Sequence, residues 1–306
     1  MQSVREVERN ALPETISRTS PVAPTVRLIA GRYSAQIDLR SGGIAALSYD
    51  GAPLLESYDT AQLPPAAANS VLAPWPNRTE DGIFSWKGAE HQLAITEPER
   101  HNAIHGFVLD AAWQIVNHDP DRVEIAADIA PQQGWPWALR VTASYLLDEQ
   151  GLHCTYGAST QEDSVPFAFG LHPYLSPQGT PVDEAELRLP PVEHHLLDAR
   201  NVPTGEHAPV ELSHRVAELE LDDLFYVGPE PHTVELAADG RGVRMDSGEG
   251  LGWLQIYTAP DFPGCGRAIA VEPMSAPPNA LRTGTDLVEL GPDRPWQATV
   301  HFSVIE

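Results

Sequence analysis

The stretch Phe167-Ala168-Phe169-Gly170-Leu171-His172-Pro173-Tyr174 alternates large apolar side chains with small ones, the spacing of a β-strand. Phe167, Phe169 and Leu171 share one face. The other face carries Ala168, Gly170 and then His172, so it is small until it presents an imidazole. Pro173 removes a ladder donor and is expected to end the strand just past the histidine. Ala268-Ile269-Ala270-Val271-Glu272-Pro273 repeats the device. Ile269 and Val271 share one face, Ala268, Ala270 and Glu272 share the other, and a proline follows. Two such strands side by side would make a shallow floor with an acid and a base at its end.

Outward from these strands the β pattern continues. Tyr33, Ala35, Ile37 and Leu39 alternate with polar residues, turn at Ser41-Gly42-Gly43, and return from Ile44 to Tyr49 as a hairpin. Phe84 and Trp86 begin a strand that Leu93 and Ile95 continue after the turn at Lys87-Gly88. Residues 123–129, 139–147, 152–158 and 296–304 alternate cleanly, and shorter strands are expected at 234–236, 243–245 and 253–257. Residues 176–232, rich in Pro, His and Asp, read as the least regular part, with a short helical piece near 213–219. Many short strands among 29 prolines and 23 glycines argue an all-β sandwich or barrel. The lack of a fixed internal period argues against a propeller. Residues 1–25 read as a flexible N-terminal arm and 26–306 as a single β domain.

Composition narrows the function. The chain has 19 basic and 43 acidic residues, a net charge of −24. That balance argues against nucleic acid and against anionic membranes as partners. Lys87, the only lysine, reads as a solvated turn residue rather than a Schiff-base former. Cys154 alternates with Leu152 and Tyr156 as core packing, and Cys265 lies in a glycine turn, so neither suggests a metal site or a disulfide scaffold. The adjacent His194-His195 should point to opposite faces of a strand, which is not a cupin-like His-x-His ligand pair. No metal and no cofactor is expected. No apolar run reaches the ~18–20 residues of a membrane helix. Arg5, Glu6, Glu8 and Arg9 interrupt any signal-peptide core, so a soluble, cytoplasmic protein is expected.

Two proline- and glycine-marked loops carry further polar candidates. Asn77 and Arg78 follow Trp75-Pro76, and a guanidinium there offers fixed forked donors to a substrate. His105 precedes Gly106 in the second loop. Asp222 and Asp223 precede Leu224-Phe225.

In this order Asn77-Arg78 with Gly82, His105-Gly106, Phe169-Gly170-Leu171-His172-Pro173-Tyr174, Leu221-Asp222-Asp223-Leu224-Phe225 and Val271-Glu272-Pro273 resemble the aldose 1-epimerase (galactose mutarotase) family, from about residue 30 onward. The resemblance implies a large, mostly antiparallel β-supersandwich. It implies Glu272 as general base, His172 as general acid and His105 assisting at the ring oxygen, with Arg78, Asn77 and Asp222 on the sugar side. The substrate would be a small aldose of the galactose or glucose class, with no cofactor. Asp222 is chosen over Asp223 from its distance to Phe225. Trp75, Trp86 and Phe225 are each either a sugar-stacking ring or core.

Other readings stay open on the sequence. A hexose-6-phosphate 1-epimerase would need a cationic pocket from Arg78, Arg267 or Arg282. A glycoside hydrolase would use Glu272 with Asp222 as its carboxylate pair. A non-catalytic sugar-binding module would bind on the same sandwich without accelerating the reaction.

Overall fold

The computed structural model describes residues 25–212 and 214–306. The expected N-terminal arm lies outside the described residues except Thr25, which opens the first strand, Thr25–Ala30. Two large sheets, of twelve and eight strands, dominate, and three two-stranded ribbons accompany them. Every paired strand is antiparallel among the described residues. The all-β supersandwich expectation therefore holds. No helix of the described residues is long and apolar enough to cross a membrane.

Alternation explains how the sheets pack. Leu139–Asp148 buries every second side chain, and so does its partner Gly151–Ser159. Their inward residues join those of the larger sheet in one continuous apolar core. Two tyrosines add polar ties across it: Tyr145 Oη donates to the Gly42 carbonyl, and Tyr33 Oη accepts the Val304 N–H at 3.0 Å.

The stretch that reads as one strand at 167–174 is three short ones. Val165–Phe167 pairs with Val288–Leu290. Gly170–Leu171 lies between Val71–Leu72 and Met274. Tyr174–Leu175 lies between Leu55 and residues Ala270 and Ile269. The break at 168–169 has a cause: the Ala168 N–H bonds the Pro74 carbonyl and the Phe169 N–H bonds Ser275 Oγ, so neither serves a ladder. Pro173 supplies no donor at the second break. The facing is nonetheless as expected. Phe167, Phe169 and Leu171 enter the main core, as do Ile269 and Val271, while Ala168 and Ala270 lie in separate small clusters.

Three further expectations are corrected. Residues 192–210 are not irregular: Val192–Leu197 and Pro203–Val210 form a hairpin on one edge of the larger sheet. Pro203 and Pro209 tolerate that position because Pro203–Val210 is the outermost strand. The strand after Lys87-Gly88 is Ala89–Gln92 and stops short of Leu93 and Ile95. The helical piece near 213–219 is a single 3₁₀ turn, Val216–Glu218.

Phe169 ties the sheets at the site's back. Its ring lies 4.8 Å from Tyr156 and 5.0 Å from Trp296, centroid to centroid. Truncation to alanine leaves a cavity between these two large rings, so Phe169→Ala is expected to lower unfolding free energy by about 3–5 kcal/mol, read from the urea midpoint.

Candidate active site

His172 and Glu272 meet because two antiparallel registers bring their strands together. Gly170 pairs with Met274 and Tyr174 with Ala270, which leaves His172 opposite Glu272. The His172 Nε2 lies 3.2 Å from Glu272 Oε1. Asn69 fixes the histidine's backbone: its N–H bonds the His172 carbonyl at 2.8 Å, and its Oδ1 accepts the Tyr174 N–H at 2.9 Å. The His172 N–H bonds the Ser70 carbonyl.

Both groups are buried, 5 % exposed for His172 and 2 % for Glu272. Burial lowers the His172 imidazole to about 4. Burial also raises the Glu272 carboxyl well above the carboxylate range; the nearby Asp222 adds to this and Arg78 opposes it. Glu272 Oε2 is buried with no hydrogen-bond partner among the described residues, so one oxygen of the carboxyl group is unspent.

The two loops form a cradle beside this pair. Asn77 and His105 both have left-handed backbones, with φ of 54° and 64°. The His105 N–H bonds the Asn77 carbonyl at 3.0 Å, and the Asn77 N–H returns a bond to His105 Nδ1 at 3.2 Å. An Nδ1 that accepts carries no proton, so the neutral ring holds its hydrogen on Nε2. Burial, with the neighbouring His172 and Arg78, keeps His105 well below the usual imidazole range. Gly106 makes the approach possible: at φ +69° a Cβ would stand 2.1 Å from the Ala73 carbonyl oxygen.

Arg78 is committed to a partner that sequence reasoning missed. Its Nε and Nη2 make a forked contact with Glu97, at 2.9 to 3.1 Å, and Asn102 and Arg100 donate to the same carboxylate. These donors outweigh burial and hold Glu97 below its ordinary range. The signal was available, since Glu97-Pro98 repeats the acid-before-proline pattern of Glu272-Pro273. Asp222 accepts from Gln255 Nε2 at 2.8 Å and from Asn201 Nδ2. Gln255 is the cross-strand partner of Glu272, an unmarked position in sequence.

One cavity of about 520 Å³ gathers Asn77, Arg78, His105, His172, Asp222 and Glu272. Asp223 is elsewhere, paired with His194 at 2.9 Å. Glu97, Glu99, Arg100, Gln255 and Tyr257 complete the polar lining. No aromatic platform comes from the earlier candidates. Trp75 and Phe225 belong to the core, and Trp86 packs on its edge. Asn279 holds the Glu80 N–H at 3.0 Å and serves the Arg78 loop.

Two large antiparallel sheets with a buried His–Glu pair at the end of neighbouring strands make a β-sandwich of the galactose mutarotase type. The chain belongs to the aldose 1-epimerase family, whose model matches residues 24–303. It is 31% identical over 279 residues to the uncharacterized protein YihR of Escherichia coli (strain K12), covering 89% of this chain and 90% of that protein. Among solved structures, a galactose mutarotase-like protein from Clostridium acetobutylicum superposes with a TM-score of 0.81 at 20% identity, over 92% of this chain and 95% of that one. The GalM/aldose epimerase homologue from C. elegans gives 0.80 at 16% identity, over 93% and 100%. These likenesses establish the fold.

The cradle geometry has a direct spectroscopic consequence. At neutral pH the ¹⁵N shifts of His105 are expected to report the Nε2–H tautomer, with no protonation as pH falls through about 6.5. A Nδ1–H tautomer or a titration near 6.5 would contradict the arrangement.

Proposed function

We propose that this chain interconverts the α and β anomers of a free aldose, as an aldose 1-epimerase. The observation that carries the reading is the 3.2 Å contact between His172 Nε2 and Glu272 Oε1 on the floor of a sugar-sized cavity.

A cyclic aldose is a hemiacetal. Opening it removes the proton of the C1 hydroxyl, breaks the bond from C1 to the ring oxygen, and delivers a proton to that oxygen. In the proposed mechanism Glu272 as carboxylate takes the first proton and His172 as imidazolium supplies the second. Rotation about the C1–C2 bond and reclosure with roles reversed gives the other anomer, and the enzyme returns to its starting protonation.

Burial makes the pair suited to this. The depressed histidine and raised carboxyl both favour a single proton shared across the contact rather than two charges. Placed on Glu272, that proton gives the neutral pair; placed on His172, it gives the base and acid of the reaction. The sugar hydroxyls supply the polar contacts that offset the charged arrangement. His105, with its fixed Nε2–H, donates to the ring oxygen or a neighbouring hydroxyl. Asp222 and the Asn77–Arg78 edge accept and donate to the remaining hydroxyls.

Of the alternatives, phosphorylated sugars fit less well. Arg78 is spent on Glu97, Arg267 on Asp183 and the Leu219 carbonyl, and Arg282 lies against Glu80 and Asp81. A free aldose of the galactose or glucose class therefore remains the substrate. Cys154 and Cys265 are both free thiols, consistent with the proposed cytoplasmic location.

Polarimetry of freshly dissolved α-galactose and α-glucose tests the reading. Glu272→Gln and His172→Ala are each expected to cut acceleration by roughly 10²–10⁴-fold. A Glu272→Gln variant with near-wild-type rates would overturn it. The pH–rate profile is expected to be a bell. Its acid limb falls near about 4, where the pair takes a second proton, and its alkaline limb lies where Glu272 gives up the shared one, well above ordinary carboxylates. A profile that rises through pH 6.5 as an isolated histidine titrates would contradict the coupled pair.

A further inference from the structure

The hairpin at the edge of the larger sheet brings together three side chains that the proposed reaction does not use. His195 and His207 are direct cross-strand partners in the antiparallel register. Glu193, two residues before His195, projects from the same face, as residues i and i+2 of a strand do. The His207 Nδ1 lies 3.3 Å from Glu193 Oε2, and the two imidazoles stack with centroids 4.8 Å apart. One donor atom from each of the three falls within 4.8 Å of the others, the only such group of three among the described residues. His194 takes no part. It points to the opposite face, paired with Asp223.

We propose that Glu193, His195 and His207 form a site for a divalent transition ion of the zinc class. Two imidazoles and one carboxylate are a ligand set that suits Zn²⁺, Ni²⁺ and Cu²⁺ better than the hard cations Mg²⁺ and Ca²⁺. The donors are also disposed to close on an ion. His195 is backed by Trp253 at 4.7 Å, and its Nε2 is buried with no hydrogen-bond partner. His207 and Glu193 form the exposed half, with side chains 50% and 44% exposed, and rotation of these side chains toward an ion would give the ~2.0–2.2 Å bonds of a zinc site. The ion replaces an exposed polar contact between His207 and Glu193 that carries little energetic weight. Water completes the coordination on the solvent side.

Such an ion would pin the outermost strand of the sheet to its neighbour. The hairpin's loop reaches the sugar cavity: Arg200 contacts Glu80, Asp81 and the Arg100 carbonyl, and Asn201 holds Asp222. The site itself stands apart from the acid–base pair, so its test is independent of the reaction.

Untagged protein, freed of metal by chelation, is titrated with Zn²⁺ in a calorimeter and with Cu²⁺ while tryptophan fluorescence is followed. One Zn²⁺ per chain is expected. His207→Ala and Glu193→Gln should each weaken binding by at least the roughly tenfold that even an outer-shell change produces. His118→Ala, an exposed histidine on the other sheet, should leave it unchanged. Cu²⁺ is expected to quench fluorescence in wild type, with the quench reduced in Trp253→Phe. Zn²⁺ should raise the melting temperature of wild type and not of His207→Ala. Mutarotation by His207→Ala without metal should match wild type. No Zn²⁺ binding by the wild-type chain, or binding that survives both ligand variants, overturns the proposal.

Discussion

An ionisable pair held away from water is the constraint around which this molecule is arranged. A buried carboxyl and a buried imidazole are each costly alone, and facing one another at 3.2 Å gives each a polar partner. Keeping that contact requires two strands, a hundred residues apart in sequence, to hold one register. The register in turn rests on Asn69, which bonds both sides of the His172-Pro173 step, and on the core rings behind Phe169. The sandwich therefore acts as a rigid mount for a small volume of chemistry.

The loops contribute what strands cannot. A β-strand points alternate side chains to opposite faces and cannot turn several polar groups toward one point. Left-handed backbone at Asn77 and His105, with Gly106 pressed against the Ala73 carbonyl, turns the chain sharply enough to aim an imidazole edge and a guanidinium into the same cavity. Such conformations cost a little each, and they cluster here rather than through the sheets. The Arg78–Glu97 fork gives the edge its stiffness. A bidentate pair fixes the plane of the guanidinium and leaves Nη1 beside the Asn77 side chain.

The strands were legible because half-buried sheets write their facing into alternation. Phe167, Phe169, Leu171, Ile269 and Val271 could be assigned to the core, and His172 and Glu272 to the opposite face, from periodicity alone. Their proximity could not be read that way, because register between distant strands leaves no local trace. The three-way break at 165–175 was also hidden. It depends on Ser275 and the Pro74 carbonyl capturing N–H groups that a continuous strand would use. Glu97 and Gln255 were missed since their roles come from partners far along the chain. The 192–210 hairpin was obscured by prolines that are harmless on an outermost strand. Asp222 and Asp223 show the limit most sharply: neighbours in sequence, they face opposite ways, one to the cavity and one to His194.

The order of strands in the smaller sheet bears on how the chain comes off the ribosome. Trp296–Ile305 lies in the interior of that sheet, between Gly151–Ser159 and Arg241–Ser247. The strands on its two sides have no ladder with one another, so each half carries an open edge until this segment has been synthesised. Glu272 likewise waits more than ninety residues after His172 is made. Contacts of such sequence separation close slowly, and unpaired edges invite pairing with other chains. Closure of this sheet thus waits on Trp296–Ile305, and until that strand docks both flanking edges stand open to other chains.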